Sequence, residues 1–438
     1  PIRHQEALHL RFFEELDNEQ IAGLMLYSRH QSIPARATGY FAGLYKGKPF
    51  PESGAKPEDL SDQQIEFLTK DNLRHVLLTT VQSPEIAAKW NNNMQALVEG
   101  SGLGIPANNS TDPRHGTVSD MEYNAGAGGR ISMWPGSLGM ETCFVNLVNP
   151  GDKVIVCVNG VFGQRMVENV RRLGGTAVIV EDAWGEPVDP AKVEAAFAAN
   201  PDTQLFAFVH AETSTGALSD AATLAAIARR HGALTIMDCV TSLGGVPVLL
   251  DEWGIDAAYS GSQKCLSCTP GLSPVSFSEA AVARIKARQT PCPSWFQDLG
   301  LVLGYWSGAK RTYHHTAPVN PLYGLHESLV ILAEEGLENA WTRHRDNHLR
   351  LRAGLEAMGL NFVVREDARL PQLNTVWVPV GIDEAAARVR LLNEFGLEIG
   401  AGLGALAGKV WRIGLMGHSS RPANIALCLA ALKTVIGR

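Results

Sequence analysis

Two ionisable residues stand at the ends of apolar runs in the middle of the chain. Residues 255–259 read as a short buried strand, and the small residues Ser260, Gly261 and Ser262 then turn the chain so that Lys264 emerges at its carboxyl end. A lysine among such neighbours is partly desolvated, which lowers its pKa and makes a neutral amine available for a Schiff base with an aldehyde. Upstream, residues 233–237 form a second apolar strand that ends in Asp238 and runs into Cys239-Val-Thr-Ser-Leu-Gly-Gly245. A carboxylate at one strand end and a lysine at a nearby one are the pair that pyridoxal 5'-phosphate needs. The acid keeps the ring nitrogen protonated and the amine carries the aldehyde.

Elements of alternating type must position this pair. Strands are expected at 153–158, 176–180 and 205–209, with helices opening at Asn159, running over 190–199 and running over 221–231. Strand-helix alternation of this kind marks a parallel sheet, an α/β fold in which ligands sit at the carboxyl ends of the strands. Three successive strand ends then deliver Thr213, Asp238 and Lys264 to one side, with the Thr213 hydroxyl in reach of a ring oxygen. Gly136-Ser-Leu-Gly-Met-Glu141 should open a helix whose free N–H groups face a phosphate. A helical segment over 322–359 should link the large domain to a small one, where strand, helix and strand follow from residue 361 and a last helix starts near Pro422. Residues 295–306, apolar and aromatic, suit a buried or interface helix.

Ser260-Gly-Ser-Gln-Lys264, Thr269-Pro-Gly-Leu-Ser273, Tyr313-His-His-Thr316 and Trp411-Arg-Ile-Gly414 resemble motifs of the class V aminotransferases, in the serine-glyoxylate and alanine-glyoxylate group. The resemblance covers residues 136–438. It implies the fold type I architecture of pyridoxal-phosphate-dependent transferases, a mostly parallel sheet with helices on both faces plus a small carboxyl-terminal α+β domain. It also implies a homodimer with shared active sites. On it, Lys264 and Asp238 are catalytic, Gly136 and Ser137 donate to the cofactor phosphate, Phe162 stacks on the ring, and Thr213, Val240 and Gln263 contact the cofactor. Tyr313 and Thr316 would bind the phosphate of the neighbouring subunit's cofactor. Arg412 would grip a substrate carboxylate with its guanidinium fork. The implied reaction moves the amino group of serine or alanine to glyoxylate or pyruvate. Trp134 and Pro135 depart from the family's phosphate loop, since proline has no N–H to donate.

The first part of the chain reads differently. Trp90-Asn-Asn-Asn-Met-Gln95, Gly104-Ile-Pro106, Asp112-Pro-Arg-His115 and Ile131-Ser-Met-Trp-Pro135 resemble the opening of a glycoside hydrolase family 3 barrel over residues 20–135. That likeness implies about two βα units of a TIM-type barrel and gives Asp112 a sugar-binding role. The family's nucleophilic aspartate sits in a Ser-Asp-Trp context that this chain lacks, whereas glycoside hydrolysis needs two carboxylates. A sugar-binding or glycoside hydrolase-type function of the first part, or a chimeric chain with little activity, is the alternative to a transaminase. Helices are expected over 60–69 and 83–100, a strand over 75–81, and a strand from 103 running into the polar loop that holds Asp112, Arg114 and His115. Gly126, Gly128 and Gly129 lack the GxGxxG spacing of dinucleotide binders and read as a loop. The domain boundaries expected are 1–135, 136–320 and 321–438.

Bulk properties narrow the class. A chain of 438 residues with 45% hydrophobic and 19% charged residues is long enough for two or three globular domains. A net charge of -7 argues against nucleic acid as a partner. No run reaches the length of a membrane span and the start lacks a signal-peptide layout, so a cytoplasmic location is expected. The seven cysteines, odd in number, suit reduced thiols. Cys265-Leu-Ser-Cys268 has the spacing of zinc or redox sites, but no second such pair accompanies it. His314 and His315, being adjacent, point different ways. No metal is expected.

Overall fold

The computed structural model describes residues 27–30, 44–70, 75–78, 84–100, 108–111, 131–132, 136–307, 313–315 and 317–437. They fall in two compact units, one of Pro1–Gly128 with Gly304–Asn320, the other of Gly129–Leu303 with Pro321–Arg438. Asp112, Arg114, His115, the Gly126–Gly129 stretch, Trp134, Pro135 and Thr316 lie outside the described residues.

In the first unit, strands β1 (Tyr27–His30), β2 (His75–Leu78) and β3 (Asn108–Thr111) pair in parallel and in chain order. Helix α1 (Asp62–Thr69) starts at a capping box, in which Ser61 Oγ accepts from the Gln64 amide at 3.3 Å and Gln64 Oε1 accepts from the Ser61 amide at 2.5 Å. Helix α2 (Pro84–Glu99) buries Trp90, Met94 and Val98, spaced by four residues on one face, against Leu68. The strand expected from residue 103 is found at β3, in the polar part of that run.

The second unit is built on a seven-stranded sheet. Its members are β4 (Ile131–Ser132), β5 (Lys153–Val158), β6 (Thr176–Glu181), β7 (Leu205–Val209), β10 (Leu234–Asp238), β11 (Ala257–Tyr259) and β12 (Ser273–Phe277); β8 (Ala211–Glu212) and β9 (Ala217–Leu218) form a separate hairpin. The sheet order is β4-β12-β11-β10-β7-β5-β6, with β12 antiparallel to its neighbours and β11, β10, β7, β5 and β6 mutually parallel. From β5 the chain goes outward to β6 and then returns to β7 on the other side of β5. The strand order therefore reverses between β5 and β7, where ligands bind in open α/β sheets.

Side chains alternate between two cores with the period of a strand. Val154, Val156 and Val158 of β5 and Leu205, Ala207 and Val209 of β7 face one way. There they meet α3 (Gly136–Leu147), α4 (Val161–Arg172) and α7 (Glu279–Lys286) through residues such as Phe144, Val170 and Ile285. Ile155, Cys157, Phe206 and Phe208 face α5 (Pro190–Ala199) and α6 (Ala221–Arg230) on the other side. Asp189 and Asp220 cap those two helices by accepting from Ala191 and Thr223.

Helix α8 (Leu299–Ser307) starts four residues after Trp295, which is 63% exposed and so belongs to no buried helix. The linking segment is two helices, α9 (Val319–Glu335) and α10 (Leu337–Ala357), broken at Gly336 in the left-handed region at φ 82°. Beyond them β13 (Leu373–Trp377), α11 (Glu384–Phe395), β14 (Gly400–Ala401), β15 (Val410–Gly414) and α12 (Pro422–Ile436) close a small antiparallel sheet over a core with buried Trp411. Among the described residues no helix is long and apolar enough to cross a membrane, and no group of three metal-ligating side chains occurs. All seven cysteines are free.

Candidate active site

Asp238 is the last residue of β10, in register with Val209 of β7 and Tyr259 of β11. Its carboxylate is 3% exposed. Oδ1 accepts from the Val240 amide at 2.9 Å and Oδ2 accepts from the Tyr259 hydroxyl at 2.7 Å. Burial pushes its pKa up to about 7, with the Val240 and Tyr259 hydrogen bonds opposing, the nearby charge of Glu212 adding and that of Lys264 opposing. The residue thus sits ready to change protonation state when a cation docks against it.

Lys264 follows β11 through a turn in which Ser260 and Ser262 hydrogen-bond back to Pro274 and Leu272. Partial burial lowers the lysine's pKa, and the Arg412 charge lowers it further, while Cys265 and Asp238 pull the other way. These mutual effects put Asp238, Lys264 and Arg412 in one electrostatic neighbourhood. Arg412, on β15, donates from Nε to the carbonyl of Ala401 at 2.7 Å and from Nη1 to the carbonyl of Thr213 at 2.9 Å. Its fork is fixed along one side by backbone oxygens. Thr213, buried, shares a 2.5 Å hydrogen bond with the Thr241 hydroxyl.

The amino-terminal end of α3 approaches the same place. A Cβ added to Gly136 would lie 3.1 Å from Cγ2 of Val240 and 3.7 Å from the Ser260 carbonyl. The glycine leaves a cradle at a helix start, where unpaired N–H groups favour an anion. Ser137 is exposed there and accepts from Arg165 Nη1 at 3.3 Å. Arg165 also lies over the Phe162 ring, its Cζ 4.8 Å from the centroid. Phe162 stands in the first turn of α4, just past the end of β5. The side-chain oxygen of Gln263 is buried without a hydrogen-bond partner.

An anion-favouring cradle, a buried carboxylate, a half-buried amine and an orphaned amide oxygen fit a phosphorylated pyridine aldehyde. The structure brings Gly136, Ser137, Phe162, Thr213, Asp238, Val240, Gln263, Lys264 and Arg412 into the second unit; Tyr313, 61% exposed, belongs to the first. Sequence reasoning passed over Tyr259, Thr241, Arg165 and Glu212. A tyrosine at a strand end beside an acid was the available signal for Tyr259. Glu212 offered only its place among small hydroxyl residues after β7.

The fold and these residues define a pyridoxal-phosphate-dependent transferase with a mostly parallel central sheet. Residues 136–419 match the family described as aminotransferase class-V, and the chain belongs to that family. The alanine–glyoxylate aminotransferase of Callithrix jacchus is 39% identical over 304 residues, 69% of this chain and 73% of that protein. The (S)-ureidoglycine–glyoxylate transaminase of Bacillus subtilis (strain 168) is 36% identical over 318 residues, 68% of this chain and 76% of that protein. The crystal structure of an alanine–glyoxylate aminotransferase from Nostoc sp. superposes with a TM-score of 0.68 at 43% identity, covering 70% of this chain and 81% of that one. The protein is a pyridoxal-phosphate-dependent aminotransferase. These findings give no support to the glycoside hydrolase likeness expected for residues 20–135, nor to a barrel fragment there.

Proposed function

We propose that the protein transfers the amino group of a small amino acid, alanine or serine, to glyoxylate. The observation that carries this reading is the grouping of buried Asp238 and half-buried Lys264 at strand ends of the large sheet with Arg412, which reaches the Thr213 carbonyl from the small sheet, together with relatives named for glyoxylate. Pyruvate as an alternative acceptor belongs to the same reading.

Bound at this site, pyridoxal phosphate supplies an electron sink for the bond changes at the amino acid's Cα. Gly136 and Ser137 would receive its phosphate, Phe162 would cover its ring, and Val240, Gln263 and Thr213 would line its rim. Asp238 would face the ring nitrogen and keep that nitrogen protonated. Lys264, its proton affinity lowered by burial, would hold the cofactor's carbonyl carbon at rest and would move the proton at the substrate Cα during the reaction. Arg412 orients the carboxylate of donor and acceptor, so both half-reactions use one anchor. A homodimer in which Tyr313 and Thr316 reach the neighbouring phosphate belongs to this proposal. The alternative sugar-binding function would rest on Asp112, outside the described residues, and no observation favours it.

The test is an absorbance spectrum of purified protein with added pyridoxal phosphate, followed by a glycine assay with glyoxylate and either donor. A band near ~420 nm that borohydride abolishes, leaving the cofactor on Lys264, and glycine formation are expected. A colourless protein that forms no glycine would overturn the reading.

A further inference from the structure

Glu212 is fully buried, ends the short strand β8, and is assigned no part in the chemistry above. Its backbone is pinned: the carbonyl accepts from the amides of Thr215 and Gly216 at 3.1 and 2.7 Å. Its Oε1 accepts from the Ser214 amide at 3.0 Å and from the Ser214 hydroxyl at 2.5 Å, and that hydroxyl in turn accepts from the Val161 amide at 3.0 Å. This relay ties the carboxylate to the residue just before Phe162. Contact with the same turn is closer still at Gly160, where any Cβ would overlap both the Ser214 hydroxyl and the Glu212 side chain. On the other side, the next residue in the chain, Thr213, supplies the carbonyl that holds Arg412.

The electrostatics agree with this placement. Burial raises the carboxyl's pKa, while hydrogen bonds from the Ser214 side chain and amide and from the Gly163 and Phe162 amides lower it. Its charge also favours the guanidinium of Arg412. A buried acid aimed at a helix start and beside a guanidinium is an expensive arrangement to keep for packing alone.

We propose that Glu212 is a positioning residue, clamping the turn that carries Phe162 and the peptide that anchors Arg412, so that one side chain sets the ring-stacking wall and the carboxylate anchor together. The inference rests on the transaminase reading above.

The test compares the holoenzyme with Glu212→Gln, which keeps the shape and removes the charge, and Ser214→Ala, which removes the hydroxyl that joins the Glu212 carboxylate to the Val161 amide. For Glu212→Gln, pyridoxal phosphate titrated by fluorescence quenching should bind roughly tenfold more weakly, and KM for glyoxylate should rise roughly fivefold, more than kcat falls. Cofactor-free melting should stay within about 3 °C of the parent. Ser214→Ala should weaken cofactor binding and leave the glyoxylate KM within about twofold, because the Arg412 anchor is untouched. A folded Glu212→Gln with both constants unchanged overturns the proposal. Should that variant not fold, unaltered cofactor binding by Ser214→Ala overturns it instead. A parent protein that binds no pyridoxal phosphate would overturn the function and not this clamp.

Discussion

Arg412 donates to the carbonyl oxygen of Thr213 at 2.9 Å, joining the small carboxyl-terminal sheet to the turn that follows β7. The same guanidinium reaches the Ala401 carbonyl, and burial of its charge is offset by Glu212. Arg412 therefore has its place fixed before any substrate arrives, which spares the entropy of ordering a long side chain at binding. Lysine could not span the two carbonyls and also present a second donor. Arg412→Lys should raise KM for glyoxylate by roughly a hundredfold with a smaller fall in kcat, measured by steady-state kinetics across glyoxylate concentration.

Lys264→Ala removes the only side chain on this turn that can carry the carbonyl carbon and move the Cα proton. Turnover should fall by at least about a thousandfold, and borohydride should no longer leave cofactor attached to the polypeptide, as read by intact mass. Retention of labelled protein would mean that another amine carries the aldehyde.

Asp238 yields a prediction with a sign. An unfolded aspartate titrates near ~3.9, whereas burial pushes the folded residue up to about 7. The folded, cofactor-free protein holds the proton more tightly. Its stability is thus fullest below the unfolded value, is lost as pH rises toward about 7, and levels off above that, by an amount on the order of 4 kcal/mol. Asp238→Asn should therefore melt higher than the parent at pH 8 and alike at pH 4 without cofactor, while binding pyridoxal phosphate more weakly. Calorimetry at the two pH values checks the first part and fluorescence titration the second.

Gly163 lies in α4 where the helix crosses the end of β5. A Cβ there would stand 2.5 Å from the Cys157 carbonyl and 2.9 Å from Cα of Val158, both backbone atoms that cannot swing aside. Gly163→Ala should destabilise the cofactor-free fold by about 1–3 kcal/mol in urea unfolding. It should also weaken cofactor binding, because the displaced helix start carries Phe162.

Much of this was open to reading in the chain itself, and the reasons are local. Val154, Ile155, Val156 and Phe206, Ala207, Phe208 are apolar runs short enough to be only strands, and Asp189 before Pro190 marks a helix start by its capping chemistry. Asp238 and Lys264 were visible because each closes or follows such a run. Glu212 was not, since burial of a carboxylate in an irregular turn leaves no periodic trace. The break at Gly336 hid in a segment whose charges and apolar residues keep helical spacing on both sides, and only the positive φ of one residue divides it. Trp295 looked like core by its type, yet its indole faces out four residues ahead of α8. Tertiary placement decided those cases.

The reversal of strand order beside β5 has a consequence for synthesis. This strand ends up next to the sheet's edge strand, with β6 on one flank and β7 on the other. On the ribosome, β6 follows it after α4, but β7 emerges only once α5 has also been made. Until then Lys153–Val158, wholly apolar after its first residue, offers a bare hydrogen-bonding edge to any neighbouring nascent chain. The strand that ends beside Phe162 is thus also one where this polypeptide is open to clumping as it is made, and one a chaperone would shield.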